Sequence, residues 1–173
     1  MQTFYITGCL GFIGFHFTRM ALEKGVKVRG IDKISYASKD NAVLFLKLLK
    51  KYPNFSFEKI DINDLKYLNN HDYFINFAAS THVQNSIIDS KEFIHDNILG
   101  LQNILELIRK KPDYGVDRPI LLHCSTDEVV SDLSLLKVDE KPPLNPASPY
   151  AASKAAGELL IQSWRRTYEI DYV

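Results

Sequence analysis

The chain is predicted to fold as an α/β protein built on a doubly wound parallel sheet. Short apolar runs of strand length alternate with longer stretches of helical period along its whole length. One run, Pro119-Ile120-Leu121-Leu122-His123, is nearly all apolar, as strands covered on both faces of a parallel sheet are. Between the first apolar run and the first helical stretch stand three glycines spaced three apart, Gly8, Gly11 and Gly14.

The elements follow in order. Phe4-Tyr5-Ile6 is a first strand, and residues 15–24 a first helix. Val26 to Ile31 reads as a second strand ending in Asp32, followed by a polar loop over 33–38 and a helix from about Asn41 to Lys51 that Pro53 stops. Residues 55–60 alternate as a half-buried strand should, Asp61-Ile62 closes it, and a short helix is expected over 63–68. Tyr73 to Phe77 is a fourth strand leading into Ala78-Ala79-Ser80-Thr81-His82. Residues 93–110 carry apolar side chains at 94, 98, 101, 105 and 108, a helical period. The fifth strand is 119–123, and Ser148 can cap a last helix with Pro149 at its first position. Ligands on such sheets sit at the carboxyl ends of the strands, where Gly8, Asp32, Asp61, Ala78 and Ser125 all fall.

The glycine spacing is a physical device. Gly8 can take positive φ off the strand, Gly11 lets backbone approach a pyrophosphate, and Gly14 lets the helix pack closely on the strand. The helix N-terminus then offers free N–H groups to the phosphates, and Asp32 stands where a carboxylate would take the adenosine ribose hydroxyls. An ordinary glycine turn with a surface Asp is the other reading, and the full strand–loop–helix–strand–acid order argues against it.

Composition excludes several classes. The 173 residues are 46% hydrophobic, enough for one core and one domain. Lys plus Arg number 21 and Asp plus Glu 21, for zero net charge, and no basic cluster points to nucleic acid. No apolar run is long enough to span a membrane, and the N-terminus enters a strand without the pattern of a secretion signal, so a soluble cytoplasmic protein is expected. Cys9 and Cys124 form neither a disulfide framework nor a metal-ligand cluster, and no metal is expected.

Two stretches carry chemistry. In Ser148-Pro149-Tyr150-Ala151-Ala152-Ser153-Lys154, Tyr150 and Lys154 share one helix face, and an ammonium beside a phenol favours the phenolate that can act as base. That spacing alone is common on solvated helix faces. In Ser125-Thr126-Asp127-Glu128, a hydroxyl and two carboxylates stand just past the fifth strand, costly if buried and unused, though a surface turn is the alternative.

Together these residues resemble the extended short-chain dehydrogenase/reductases, and within them the nucleotide-sugar 4,6-dehydratases. The marks are Thr7-Gly8-x-x-Gly11-Phe12-Ile13-Gly14, Asp61-Ile62, Asn76 to Val83, Asn97, Ser125-Thr126-Asp127-Glu128-Val129 and Ser148-Pro149-Tyr150-x-x-x-Lys154. The resemblance implies a Rossmann-type NAD-binding domain and a cycle in which NAD is recycled. Tyr150, assisted by Lys154, would take the 4-hydroxyl proton, Glu128 the C5 proton, and Asp127 would protonate the leaving 6-hydroxyl, while Thr126 hydrogen-bonds the 4-oxygen. It further implies that Gly8, Gly11, Phe12, Ile13, Gly14, Ala78, Ala79, Ser80 and Ser125 contact the cofactor, with Asp61 and Ile62 flanking adenine. Lys154 would also hold the nicotinamide ribose, Asn97 would support the Tyr/Lys pair, and His82 and Ser86 would face the sugar. Asp32 would favour NAD over NADP, with Lys33 beside it pulling the other way.

The substrate implied is UDP-glucose or dTDP-glucose, with details such as His82-Val83-x-Asn85-Ser86 leaning toward the former, and a homodimer is implied through helices near 90–110 and 150–168. Leu99 with Leu101, and Leu160 with Trp164, give those helices more apolar positions than one buried stripe needs. Val130-Ser131 replace the Tyr-Gly usual in the family, and Gln84 replaces an Asp. The family carries a second, substrate-gripping domain, whereas this sequence stops at Asp171-Tyr172-Val173 where a strand would begin. The expectation is a fragment that binds NAD and turns over sugar nucleotide slowly or not at all. The competing functions are a 4-epimerase of the same superfamily and a non-catalytic NAD-binding module.

Overall fold

A computed structural model describes residues 2–111, 118–130 and 143–173. Strands β1 (Thr3–Thr7), β2 (Lys27–Asp32), β3 (Phe55–Lys59), β4 (Tyr73–Asn76) and β5 (Ile120–His123) form one parallel sheet in the order β3-β2-β1-β4-β5. The chain leaves β1 outward to β2 and β3, then crosses back to β4 on the other side of β1. That reversal opens a crevice at the carboxyl ends of β1 and β4. Beyond β5, Tyr172 bridges to Leu121 in parallel, and Val173 N–H donates to the Leu121 carbonyl at 2.8 Å. Residues 171–173 thus run beside β5, where the sequence leads one to expect a further strand to begin.

Helices α1 (Phe12–Glu23) and α2 (Ala42–Leu49) cover one face, and α5 (Gly100–Arg109) and α6 (Pro149–Tyr168) the other. Successive strand residues point to opposite faces, so Tyr5 and Phe74 enter the core under α5 and α6 while Ile6 and Ile75 enter the one under α1 and α2. All four side chains are at most 1% exposed, the burial on both faces that the parallel assignment requires.

Three elements differ from expectation. The short helix expected over 63–68 is a single 3-10 turn, Ile62–Asp64, because Leu65 turns extended to bury its side chain in the core. A short helix, α3 (Val83–Ile88), follows the β4 loop in a stretch that shows no helical period. The long helix over 93–110 begins with α4 (Lys91–Phe93), passes through a π segment, Ile94–Leu99, and continues as α5. The extra residue in the π turn rotates Ile94 outward, 45% exposed, and carries consecutive polar residues, Asp96 and Asn97, into the interior.

Candidate active site

The glycine loop is the floor of the site. Helix α1 starts at Phe12, three residues earlier than its apolar pattern suggests, with Gly11 as N-cap. Gly8 has φ +65°, and a Cβ there would stand 2.7 Å from the Ala78 nitrogen. A Cβ at Gly14 would overlap the Gly8 carbonyl oxygen. Backbone therefore packs where other residues carry side chains, and the N-terminal N–H groups of α1 open onto a cavity of about 320 Å³.

This cavity runs from the ends of β2 and β3 to α6. Of the residues expected to meet a cofactor, Gly8, Gly11, Phe12, Ile13, Gly14, Asp32, Lys33, Asp61, Ile62, Ala78, Ala79, Ser125, Tyr150 and Lys154 all line it. Ser80 and Asn97 stand behind its wall. Asn97 accepts from Ser80 N–H at 2.8 Å, donates to the Ser80 carbonyl at 2.9 Å and donates to Ser153 Oγ at 2.8 Å. One buried amide thereby joins the loop after β4 to the helix that bears Tyr150 and Lys154.

The β2 end is densely paired. Asp32 is buried and accepts hydrogen bonds from Leu10 N–H (3.0 Å), Ile34 N–H (2.7 Å) and Ser38 Oγ (3.1 Å). Lys33 Nζ lies 2.7 Å from both Asp96 oxygens and 3.5 Å from Asp61 Oδ2. Burial opposes the Lys33 charge, yet the Asp96 hydrogen bond and its carboxylate neighbours prevail and raise its pKa. Burial likewise opposes the Asp61 charge, and its hydrogen bonds from Asn63, with Lys33 nearby, hold it below the usual carboxylate range. Asp61, His95 and Asp96 bring three ligand-type atoms within 4.8 Å of one another, with the Lys33 ammonium on the two carboxylates.

At the α6 end, Ser148 accepts from Ala151 N–H at 3.1 Å and Pro149 takes the first helical turn, as expected. Tyr150 is buried; burial raises its phenol, the Thr126 hydroxyl hydrogen-bonded to it pulls the other way, and Glu128 and Asp127 push it up. Lys154 Nζ donates to the Cys124 carbonyl at 2.6 Å and stands 3.4 Å from His123 Nε2. Burial brings its pKa down to about 8. The ammonium thus touches backbone and imidazole, and the phenol's hydrogen-bonding neighbour is Thr126. His123 sits between Lys154 and Asn76 Nδ2 (3.0 Å to Nδ1), and burial with the adjacent ammonium lowers it to about 3.

The triplet follows Ser125, which lines the cavity, and is not itself part of that lining. Thr126 ends the β5 loop, and the 3-10 turn Asp127–Val130 carries an exposed Asp127 and a half-buried Glu128. His82 is exposed beside Tyr36, whose hydroxyl accepts from Thr81 and His82 N–H at 3.0 and 3.3 Å. Ser86 is buried, receives Tyr150 N–H at 3.1 Å and donates to the Val83 carbonyl at 2.6 Å, so its hydroxyl holds the start of α6. Ser131 lies outside the described residues.

Sequence reasoning missed Asp96, Tyr36, His123 and Glu158. Glu158 accepts from Ser125 Oγ at 2.5 Å and stands one turn beyond Lys154, a spacing that the helix period makes legible. Asp96 beside Asn97 inside an apolar helix was the available sign of irregular backbone, since a regular helix cannot bury both with ease.

Comparison with known proteins agrees with this geometry. The sequence profile of the GDP-mannose 4,6 dehydratase family matches residues 5–173. The dTDP-glucose 4,6-dehydratase of Haemophilus influenzae is 35% identical over 100% of this chain and 54% of its own length. The Streptomyces niveus enzyme of that name is 36% identical over 97% of this chain and 51% of its own length. Among solved structures, the Streptomyces venezuelae dTDP-glucose 4,6-dehydratase DesIV, with NAD bound, superposes with a TM-score of 0.87 at 33% identity, covering 99% of this chain and 54% of DesIV. The UDP-glucuronic acid 4-epimerase of Bacillus cereus, bound to UDP-glucuronic acid and NAD, gives a TM-score of 0.91 at 25% identity, over 99% of this chain and 55% of that one. The chain spans about half the length of the curated relatives it matches. With its glycine cradle, acid-tipped second strand and Tyr/Lys helix in one crevice, the chain belongs to the GDP-mannose 4,6 dehydratase family, the nucleotide-sugar branch of the extended short-chain dehydrogenase/reductases.

Proposed function

We propose that this chain carries the NAD-binding and catalytic half of a nucleoside-diphosphate-glucose 4,6-dehydratase, acting on UDP-glucose or dTDP-glucose. The observation that carries the reading is the placement of Thr126, hydrogen-bonded to the Tyr150 phenol, with the Glu128 and Asp127 carboxylates close enough to act on it, beside the Tyr150 end of the cavity. A 4-epimerase needs a base at the 4-hydroxyl and no acid–base pair beyond it; two carboxylates beside the phenol suit loss of water.

The glycine cradle suits a pyrophosphate, because Gly8, Gly11 and Gly14 line the cavity where α1 begins and offers its free N–H groups. Asp32 would hold the adenosine ribose, and Asp61 with Ile62 the adenine, at the end that they line. NAD bound there supplies the hydride acceptor for C4 and the donor for C6. Tyr150 takes the 4-hydroxyl proton, and Thr126, bonded to the phenol, is placed to hold the 4-oxygen. Loss of the C4 hydride leaves a 4-ketone, which acidifies C5–H. Glu128 would take that proton, Asp127 would protonate the 6-hydroxyl as it leaves as water, and Glu128 would return its proton to C5 as C6 accepts hydride. The Lys154 ammonium, pinned on the Cys124 carbonyl, is placed to hold the nicotinamide ribose beside Tyr150. Exposed Ile87, Ile88, Ile94, Leu99 and Leu159, on α3, the π segment and α6, favour a homodimer face, whereas Leu101 is core and Leu160 and Trp164 pack against it.

The test incubates the chain, at concentrations stoichiometric with substrate and with NAD present, with UDP-glucose and dTDP-glucose separately. Loss of one water from one substrate without net NADH is expected. A change of sugar configuration at constant mass would support the epimerase instead. NAD binding without reaction of either substrate would leave the binding module.

A further inference from the structure

The end of the site that meets adenosine contains a lysine beside the ribose-binding carboxylate. A cation there is the group that could accept the 2′-phosphate of NADP, so its placement decides which dinucleotide the site selects. Lys33 lines the same cavity as Asp32. Its ammonium is nevertheless committed elsewhere: both Asp96 oxygens at 2.7 Å, Asp61 Oδ2 at 3.5 Å and Glu92 Oε1 at 3.9 Å.

We infer that Asp96 is a dinucleotide-specificity residue, which makes the site select NAD by sequestering Lys33 away from the ribose 2′ position. The inference rests on the NAD-site reading above. Asp96 cannot follow the lysine outward, because its side chain is 7% exposed and Ser80 Oγ holds its other oxygen at 2.7 Å. Drawing Lys33 toward a 2′-phosphate would therefore strand a buried carboxylate without its counter-ion, an expensive arrangement. His95 Nδ1, 3.1 Å from Asp96 Oδ1, is the one other ionisable group bonded to that carboxylate among the described residues. The backbone reinforces the placement. Ile34 is held at φ +60°, a conformation costly for a β-branched residue, and its N–H is tied to Asp32 Oδ1 at 2.7 Å. Lys33 is thus fixed between Asp32 and a strained residue, aimed at the π segment. Three carboxylates (Asp61, Glu92 and Asp96) then surround one ammonium, and a phosphate placed there meets net negative charge. The π segment is what makes this possible, since it buries Asp96 at the cavity wall next to Asn97, which is needed elsewhere.

Isothermal titration of the purified chain with NAD and with NADP tests the idea. The wild type is expected to bind NAD and to bind NADP far more weakly. In D96N, NADP affinity is expected to rise about tenfold or more, the scale of one charge-assisted hydrogen bond made available, while NAD affinity stays within about threefold. Adding K33M to D96N is expected to remove the gain. A D96N or D96S chain that binds NAD normally without gaining NADP affinity overturns the inference, as does a gain that survives K33M. A wild-type chain that binds no NAD removes the underlying site reading, and this one with it. Should neither Asp96 variant fold, the crystal structure of the wild type soaked with 2′,5′-ADP decides. Lys33 on Asp96 upholds the inference, and Lys33 on the 2′-phosphate overturns it.

Discussion

Two lysines line the same cavity and are treated in opposite ways. Lys33, at the β2 end, sits among carboxylates that raise its pKa against the pull of burial. Lys154, on α6, has a backbone carbonyl and a neutral imidazole for neighbours, and burial takes it down to about 8. The first is a permanent cation inside a paired network, a structural strut. The second is held near neutrality, where a proton-handling group beside a phenol is useful. One end of the crevice is stabilised by its charges, and the other is destabilised by them.

The largest expected effect tests that difference directly. Lys33→Met strips the counter-ion from a buried Asp96 and should lower stability by about 3 kcal/mol, read from a denaturant melt of the chain. Lys154→Met removes a desolvated charge and one hydrogen bond, and should change stability by less than about 1 kcal/mol. Equal losses at both positions would break the comparison.

His123 gives the next effect. It is lowered from 6.5 to about 3, chiefly by burial and then by Lys154, so between those pH values the unfolded chain binds a proton that the folded chain does not. Stability is therefore lost as pH falls from 6.5 toward 3. Replacing His123 with Gln should flatten that limb by roughly 2 kcal/mol relative to wild type, and superimposable acid profiles would refute the assignment.

Lys154 acts at the alkaline side with the same sign and a smaller size. Between about 8 and 10.5 the unfolded lysine is protonated and the folded one is not, so this group makes stability rise with pH there. Wild type should gain on the order of 1–2 kcal/mol relative to Lys154→Met across that window. Lys33, whose pKa is raised, should give no such limb, and its contribution should persist until pH passes its ordinary value.

The contrast between the two ends also explains what the sequence made legible. Gly8, Gly14, Asp32 and the Tyr150/Lys154 pair were readable because each depends on local geometry: a turn, a close approach, a strand end, one helix face. The sheet was readable because burial on both faces leaves apolar runs such as Ile120–Leu122. What was not readable depends on contacts distant in sequence or on irregular backbone. Lys33 and Asp96 are 63 residues apart, and only the π turn points Asp96 inward. The expectation that Lys154 would act on the phenol came from i, i+4 spacing. The partner it takes instead, the Cys124 carbonyl, is 30 residues away. Ser86, expected to face the sugar, is the hydroxyl on which α6 docks, accepting from Tyr150 N–H 64 residues away.

Tyr150→Phe should have the smallest effect on the fold and bears most directly on the chemistry. Tyr150 lines the cavity and Thr126 is its phenol's hydrogen-bonding neighbour, so losing the oxygen should cost under about 0.5 kcal/mol and leave NAD affinity within about twofold. Single-turnover dehydration should nevertheless fall by about 10²–10⁴-fold, the scale of a general base. If Tyr150→Phe instead lost stability on the scale of Lys33→Met, the phenol would be part of the supporting network. The α6 end of the crevice would then be no freer for chemistry than the β2 end. A large loss of turnover at unchanged stability and affinity would establish that the binding and reacting halves of the crevice are energetically separable.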